Sequence, residues 1–134
     1  MSIGLDTSVA LRLLTGAPPD QAESARLLVA SAAEPVSISD LVVCELYFAL
    51  RHHYAVSHGD AVRAITALLS DPRIRASGVA LTVLNLAPTT STSKTRPGLI
   101  NQLIHADCVR DHLELVTFDR GLAGLPNVRL LKSQ

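Results

Sequence analysis

Short apolar runs alternate along this chain with segments whose apolar residues recur at helical spacing. This alternation constrains the fold most, because strands separated by helices form βαβ units with a parallel sheet and right-handed crossovers. The predicted strands are residues 2–5, 36–39, 73–76, 115–118 and 128–131. The predicted helices are 7–14, 21–33, 41–50, a helix that begins at Ser57 or Asp60 and ends at Leu69, 77–86 and 98–113. We therefore expect an α/β fold. Because no repeat or long linker interrupts the pattern, residues 1–134 should form one domain.

Individual residues set the predicted boundaries. Asp40 is of a type that caps helix N-termini, so we expect it to cap the helix that ends at Leu50. The Pro-rich stretch 16–20 should separate two helices, and the Ser/Thr-rich stretch 89–97, which carries Lys94 and Arg96, should be a loop.

Composition narrows the class of protein. Hydrophobic residues make up 48% of the chain and aromatic residues only 3%, so the core should be aliphatic. The start of the chain lacks the pattern of a signal peptide, and no apolar run approaches the roughly 20 residues of a membrane span. We expect a cytoplasmic protein that contacts no membrane, with Cys44 and Cys108 reduced and mostly buried in helices. The net charge of zero does not indicate nucleic-acid binding, but it allows an acidic pocket ringed by basic residues.

Three acidic residues stand at positions that favour a common site. Asp6 and Asp119 directly follow apolar strands, and Glu45 lies early in a helix that follows another strand. Ligands of parallel sheets bind beyond the carboxyl ends of the strands, so the three side chains should face one crevice. Clustered carboxylates repel one another unless a cation compensates, and oxygen ligands suit Mg²⁺ or Mn²⁺, which can promote phosphodiester hydrolysis.

Four segments in order resemble the sequence blocks of PIN-domain toxins of the VapC type, and together they span nearly the whole chain. They are LDTSV at 5–9, SDLVVCEL at 39–46, LINQLIHAD at 99–107 and VTFDR at 116–120. The resemblance implies a three-layer fold with helices flanking a central parallel sheet. It also implies a Mg²⁺- or Mn²⁺-dependent endoribonuclease, a homodimer and a cognate VapB-type antitoxin that masks the active site.

Carried over by position, the resemblance makes Asp6, Glu45, Asn101 and Asp119 the catalytic and metal-binding residues. The sequence departs from the family at Asn101, where the family has Asp. Asp107 is not an obvious substitute, because six helical residues rotate it by about 240° from position 101. This chain should therefore be impaired in cleavage.

Each candidate site residue also has a simpler, non-catalytic interpretation. Asp6 can cap a helix, Glu45 can be a solvated helix residue and Asp119 can be a turn residue, while Thr117 either orients the site or is an ordinary strand residue. The histidines and cysteines lack zinc spacing, so structural or surface roles are favoured for His52, His53, His58, His105 and His112. Four basic residues can contact RNA phosphates or be ordinary surface charges: Lys94, Arg96, Arg110 and Arg120.

Two alternative functions remain. Haloacid dehalogenase-type phosphatases also carry an Asp after the first strand, but they need a second Asp two residues later, where this chain has Ser8. A non-catalytic PIN-like module that binds RNA or a protein is the other alternative, and Asn101 makes it possible.

Overall fold

The computed structural model describes residues 2–86 and 97–132. Its helices in these residues are α1 (Thr7–Thr15), α2 (Pro19–Ser31), α3 (Asp40–His52), α4 (His58–Leu69), α5 (Ala80–Leu86), α6 (Leu99–Arg110) and α7 (Arg120–Ala123). Its strands are β1 (Val36–Ile38), β2 (Ile74–Ala76), β3 (Leu115–Thr117) and β4 (Val128–Leu130). The predicted α/β class is confirmed.

All strand pairs in these two ranges are parallel, as predicted. β1 pairs with β2, and β3 pairs with β4 as a second two-stranded sheet. The predicted strand 2–5 is reduced to a bridge between Gly4 and Ser37, supported by the N–H of Leu5, which donates to the Ser37 carbonyl at 2.9 Å. Because this pairing is parallel, Asp6 leaves the sheet at the same edge as the residues that follow β1.

The core is aliphatic, as the composition predicts. Its largest fully buried side chains are Ile38, Leu46, Ile65, Val36, Val43 and Val62. None of the buried residues in the described ranges is polar or charged. The candidate acids therefore belong to the surface of the fold.

The first two helices lie closer together in sequence than predicted. α1 ends at Thr15 and is capped by Gly16, whose φ of 70° is left-handed and favours glycine. α2 begins at Pro19, so the predicted start at residue 21 is wrong. Proline suits the first helical position because its φ is already helical and its missing N–H would have no helical partner there.

The predicted role of Asp40 is wrong. Ser39 caps α3 instead, with its hydroxyl oxygen accepting from the N–H of Val42 at 3.3 Å. The carboxylate of Asp40 accepts from the N–H groups of Val79 at 3.1 Å and Ala80 at 3.0 Å. Asp40 thus satisfies the start of α5, which begins at Ala80 rather than at residue 77.

The last third of the described chain holds two further differences. α6 ends at Arg110 rather than at residue 113, and His112 then has a left-handed φ of 58° that a helix cannot accommodate. The short helix α7 follows Asp119 and was not predicted. Of the predicted loop 89–97, only Pro97 lies within the described residues, and Lys94 and Arg96 lie outside them.

Both cysteines of the chain lie in helices. Cys44 and Cys108 are free thiols in α3 and α6, as predicted, but both are half-buried rather than mostly buried. Burial raises the pKa of Cys44, and the charges of Asp40 and Glu45 add to that effect.

None of the helices in the described ranges has the length and apolar character needed to cross a membrane.

Candidate active site

Asp119 stands between β3 and α7, where its backbone and carboxylate are both held. Its N–H donates to the hydroxyl oxygen of Thr117 at 2.9 Å. One carboxylate oxygen, Oδ1, accepts from the N–H groups of Gly121 at 2.7 Å and Leu122 at 3.3 Å. Asp119 is therefore the N-cap of α7, and the hydroxyl of Thr117, the last residue of β3, holds its backbone N–H.

Asn101 meets Asp119 from the first turn of α6. Its amide Nδ2 lies 3.5 Å from Oδ2 of Asp119, the carboxylate oxygen that does not cap α7. One helical turn later, His105 Nε2 lies 2.8 Å from the carbonyl oxygen of Pro126. The two contacts fix the same region of α6 against the segment that runs from β3 to β4, so the structural role favoured for His105 is supported.

Asp6 caps α1 at the end of the first predicted strand. Its Oδ1 accepts from the hydroxyl of Ser8 at 2.6 Å and from the N–H of Val9 at 3.2 Å. The hydrogen bond from Ser8 is the main reason that the pKa of Asp6 lies below its ordinary value, followed by the bond from Val9, and the charge of Arg12 adds a smaller effect. Ser8 is thus an organiser of Asp6 that the sequence interpretation missed, because a hydroxyl two residues after an acid is common.

Glu45 lies on the outer face of α3. It is exposed, and it makes no hydrogen bond or ion pair with any residue that the structure describes. Leu41 and Phe48, four residues before and three after it on the same helical face, are 77% and 52% exposed. Val43 and Leu46, on the opposite side of α3, are fully buried, so Glu45 lies on the face of the helix that is turned away from the core.

The structure brings Asn101 and Asp119 into contact, but no hydrogen bond joins Asp6 or Glu45 to them. Across residues 2–86 and 97–132, no three Asp, Glu, His or Cys side chains lie close enough together to hold a metal ion. At the Asn101–Asp119 contact the amide N–H of Asn101 faces the carboxylate, and only the neutral carbonyl oxygen of that amide can serve as a cation ligand. The side chains present therefore do not fit a divalent metal site in this arrangement.

A groove runs between α1 and α2 beside Asp6. It has a volume of about 530 Å³ and is lined by Ser8, Val9, Arg12, Asp20, Gln21, Ser24, Ala25 and Leu28. Arg12 Nε donates to Gln21 Oε1 at 2.8 Å across the groove. The sequence interpretation missed this groove, because only the packing of the two helices creates it.

The remaining basic and histidine candidates have diverse surroundings. Arg110 forms ion pairs with Asp107 and Asp111, and both its bond to Asp111 and these charges raise its pKa. Arg120 is exposed and forms no ion pair within the described part of the chain. The hydroxyl of Tyr47 lies 2.7 Å from His58 Nδ1, and His52 stacks on Phe48. These histidine contacts agree with structural and surface roles.

The PIN-domain family model matches residues 3–127. The chain belongs to the PIN-domain family. PIN domains are generally nucleases and typically use divalent metals, and the match spans all four candidate site residues. No curated protein matches the chain. Membership of the PIN-domain family leaves the phosphatase alternative without support.

Proposed function

We propose that this PIN domain is an endoribonuclease toxin of the VapC type, whose hydrolysis of RNA phosphodiester bonds is impaired by the amide at Asn101. The observation that carries the proposal is the 3.5 Å contact between Asn101 Nδ2 and Asp119 Oδ2. It joins two of the four positions that the resemblance assigns to the active site, from segments 18 residues apart.

The charge at this contact explains the impairment. An aspartate at position 101 would set two carboxylates side by side, and such a pair is stable when a cation lies between them. Asn101 instead donates a hydrogen bond to Asp119, which removes the need for a cation without supplying a negative ligand. Because affinity for Mg²⁺ or Mn²⁺ rises with the number of charged oxygen ligands, this chain should bind either ion weakly.

The test is RNA hydrolysis by the chain and by its Asn101→Asp variant, in parallel titrations with Mg²⁺ and Mn²⁺. Asn and Asp have nearly the same shape, so the fold should be retained. We expect weak cleavage by the chain and an increase of at least about tenfold for the variant, equivalent to about 1.4 kcal/mol of transition-state stabilisation. The negative control is Asp6→Ala in the Asn101→Asp background, which should abolish the gain.

Two results would contradict the proposal. Equal cleavage by the chain and by Asn101→Asp would remove position 101 from the active site. Cleavage that survives Asp6→Ala would exclude the acidic site as the source of the activity.

The second candidate is a non-catalytic PIN domain that binds RNA or a protein. The observation that favours it is again the amide, since the Asn101–Asp119 contact satisfies the site without a cation. Retained RNA binding together with no hydrolysis by Asn101→Asp would establish this alternative.

The toxin assignment includes a partner, a VapB-type antitoxin that covers the acidic surface. We expect it to place a basic side chain among Asp6, Glu45 and Asp119, since all three carboxylates are exposed and lack an ion pair within the described residues. Co-purification of the chain with the small protein encoded beside it tests this. Failure to form a stable complex would remove the toxin assignment and leave the nuclease assignment in place.

A homodimer is the second proposed assembly, and the exposed face of α3 is the surface that best suits it. The helices around Leu27–Leu28 and around Phe48–Leu50 are the candidate contributors. Leu50 is only 4% exposed and belongs to the core, so it cannot contribute. The exposed fractions of Leu41 and Phe48 are 77% and 52%, and those of Leu27 and Leu28 are 58% and 37%. The pair on α3 therefore exposes more apolar surface than the pair on α2.

A further inference from the structure

The groove between α1 and α2 is physically connected to the candidate active site. Ser8, which holds the carboxylate of Asp6 at 2.6 Å, also lines the groove. Val9, whose N–H is the second donor to Asp6, lies beside it in the same lining. A ligand in this groove would therefore lie directly against the helical turn that positions Asp6.

Arg12 has the properties of a phosphate-binding residue in this groove. Its Nε is held by the neutral amide of Gln21, and its two terminal guanidinium nitrogens make no hydrogen bond or ion pair with the residues described. In contrast, several arginines of the described residues form ion pairs with an Asp or Glu carboxylate: Arg26, Arg63, Arg73, Arg110 and Arg129. Arg12 thus combines a fixed orientation with terminal donors that no carboxylate occupies, and such donors match the geometry of a phosphate.

The size and lining of the groove indicate how much ligand it holds. A volume of about 530 Å³ falls within the usual range for small-ligand sites. Val9, Ala25 and Leu28 offer apolar surface for a base. Asp20 disfavours a second phosphate, but its carboxylate can accept from the amino group of a base. This mixture suits one nucleotide better than a longer run of phosphates.

We propose that the groove between α1 and α2 binds one nucleotide of the RNA strand, with the guanidinium of Arg12 paired with its phosphate. The inference rests on the proposed function, since it takes RNA as the substrate. It makes α1 bifunctional: its first turn holds Asp6, and its next turn anchors the strand beside that acid.

The experiment measures binding apart from hydrolysis. A short 5′-fluorescein-labelled single-stranded RNA is titrated by fluorescence anisotropy with EDTA present, so that the probe stays intact. We expect Arg12→Gln to weaken binding about tenfold, as for loss of one charge-assisted phosphate contact. The slope of log affinity against log salt should fall by about 0.7, the value for one phosphate on a single strand. Arg12→Lys, which keeps the charge, should recover most of the affinity.

Arg26→Gln is the matched control, because Arg26 lies on α2 outside the groove lining and is paired with Glu23. It should leave the affinity and the salt slope unchanged, and thermal unfolding should show that every variant is folded. If Arg12→Gln binds RNA with the same affinity as the original chain, the groove inference is overturned and the proposed function is not. The same conclusion would follow if a protein partner were found to occupy the groove. If the original chain binds no RNA, the RNA-directed proposed function is overturned as well.

Discussion

The amide of Asn101 faces the one carboxylate oxygen of Asp119 that the helix cap leaves free. Oδ1 of Asp119 accepts from two backbone N–H groups of α7, while Oδ2 lies 3.5 Å from Asn101 Nδ2. Asp119 is therefore surrounded by neutral donors from two elements. These bonds hold the Asp119 carboxylate without a cation, so a charge introduced at position 101 would act directly on this carboxylate.

Introducing the charge should destabilise the metal-free protein. We expect Asn101→Asp to lower the free energy of unfolding by up to about 1 kcal/mol in EDTA, because two screened carboxylates then face each other in place of a hydrogen bond. Mg²⁺ or Mn²⁺ should restore the loss in a concentration-dependent way, since a ligand that binds only the folded state stabilises it. Thermal unfolding with and without the ions measures both effects.

The control for that measurement is Asn85→Asp, which adds the same charge at an exposed residue of α5 without a hydrogen bond to an acidic side chain. Its unfolding should not respond to the ions beyond the response of the original chain. An equal response of both variants would show that the cation binds elsewhere.

Ser8 should control the acidity of Asp6. The pKa of Asp6 lies below its ordinary value of 3.8, chiefly because the Ser8 hydroxyl donates to the carboxylate. A depressed pKa in the folded state stabilises the protein above about pH 3.8, and the contribution disappears as the pH falls through the lower, folded-state value. We expect Ser8→Ala to raise the pKa of Asp6 toward 3.8, as measured by NMR titration of the carboxyl carbon.

Asp60 supplies the internal reference for this titration. Its pKa is also lowered, first by Arg63 and then by Ser57, at the start of a different helix. Ser8→Ala should leave it unchanged. A shift of both aspartates would indicate a change of the whole fold, and a shift of neither would contradict the role of Ser8.

Local patterns predicted most of the elements, and pairing between distant segments produced the differences. The helical spacing of α1, α3 and α4 is encoded in neighbouring residues, so these helices were predicted, although the cap of α3 was not. The role of Asp40 was not predicted, because its hydrogen-bond partners depend on the register of β1 against β2. Ile38 lies opposite Ala76, so the residues that follow the two strands leave the sheet side by side. Asp40 therefore reaches the start of α5. No local signal contains that relationship.

The candidate site shows the same division. Strand-end positions identified Asp119, and the ordered blocks identified Asn101, but only the packing of α6 against the β3–α7 segment reveals their contact. The orientation of Glu45 depends on which face of α3 meets the core. Its metal-binding role, like those of Asp6, Asn101 and Asp119, stays a prediction until the cation titration is done.

Phe48 should be required for the proposed homodimer. It is 52% exposed and lies two helical turns from Leu41, so both face outward on α3. We expect Phe48→Glu to weaken self-association by at least about tenfold in sedimentation experiments, because a charge would be buried against the partner copy. Leu27→Glu, an equally drastic change at the 58% exposed Leu27 of α2, should have no such effect. A monomeric original chain, or dissociation by Leu27→Glu alone, would contradict this interface.

Gly78 and Asp40 should be energetically coupled. A β-carbon added to Gly78 would overlap the carboxylate of Asp40, which caps α5 through Val79 and Ala80. Gly78 does not have a left-handed φ, so this overlap rather than backbone strain opposes a larger residue. In Gly78→Ala the carboxylate must therefore move away and release the two N–H groups.

Urea unfolding of a double-mutant cycle tests this coupling. Asp40→Ala should lower the free energy of unfolding by about 1 kcal/mol, the usual effect of losing a helix cap. Gly78→Ala should have a similar effect, because it displaces the same carboxylate. The double variant should lose no more free energy of unfolding than Asp40→Ala alone, because the methyl group added at position 78 then occupies space that the carboxylate has vacated. The alanine also leaves fewer conformations available to the unfolded chain. Gly4→Ala, whose β-carbon would meet nothing within 4 Å, should combine additively with Asp40→Ala. Additive losses for Gly78→Ala and Asp40→Ala would show that the glycine is required for a reason other than the cap.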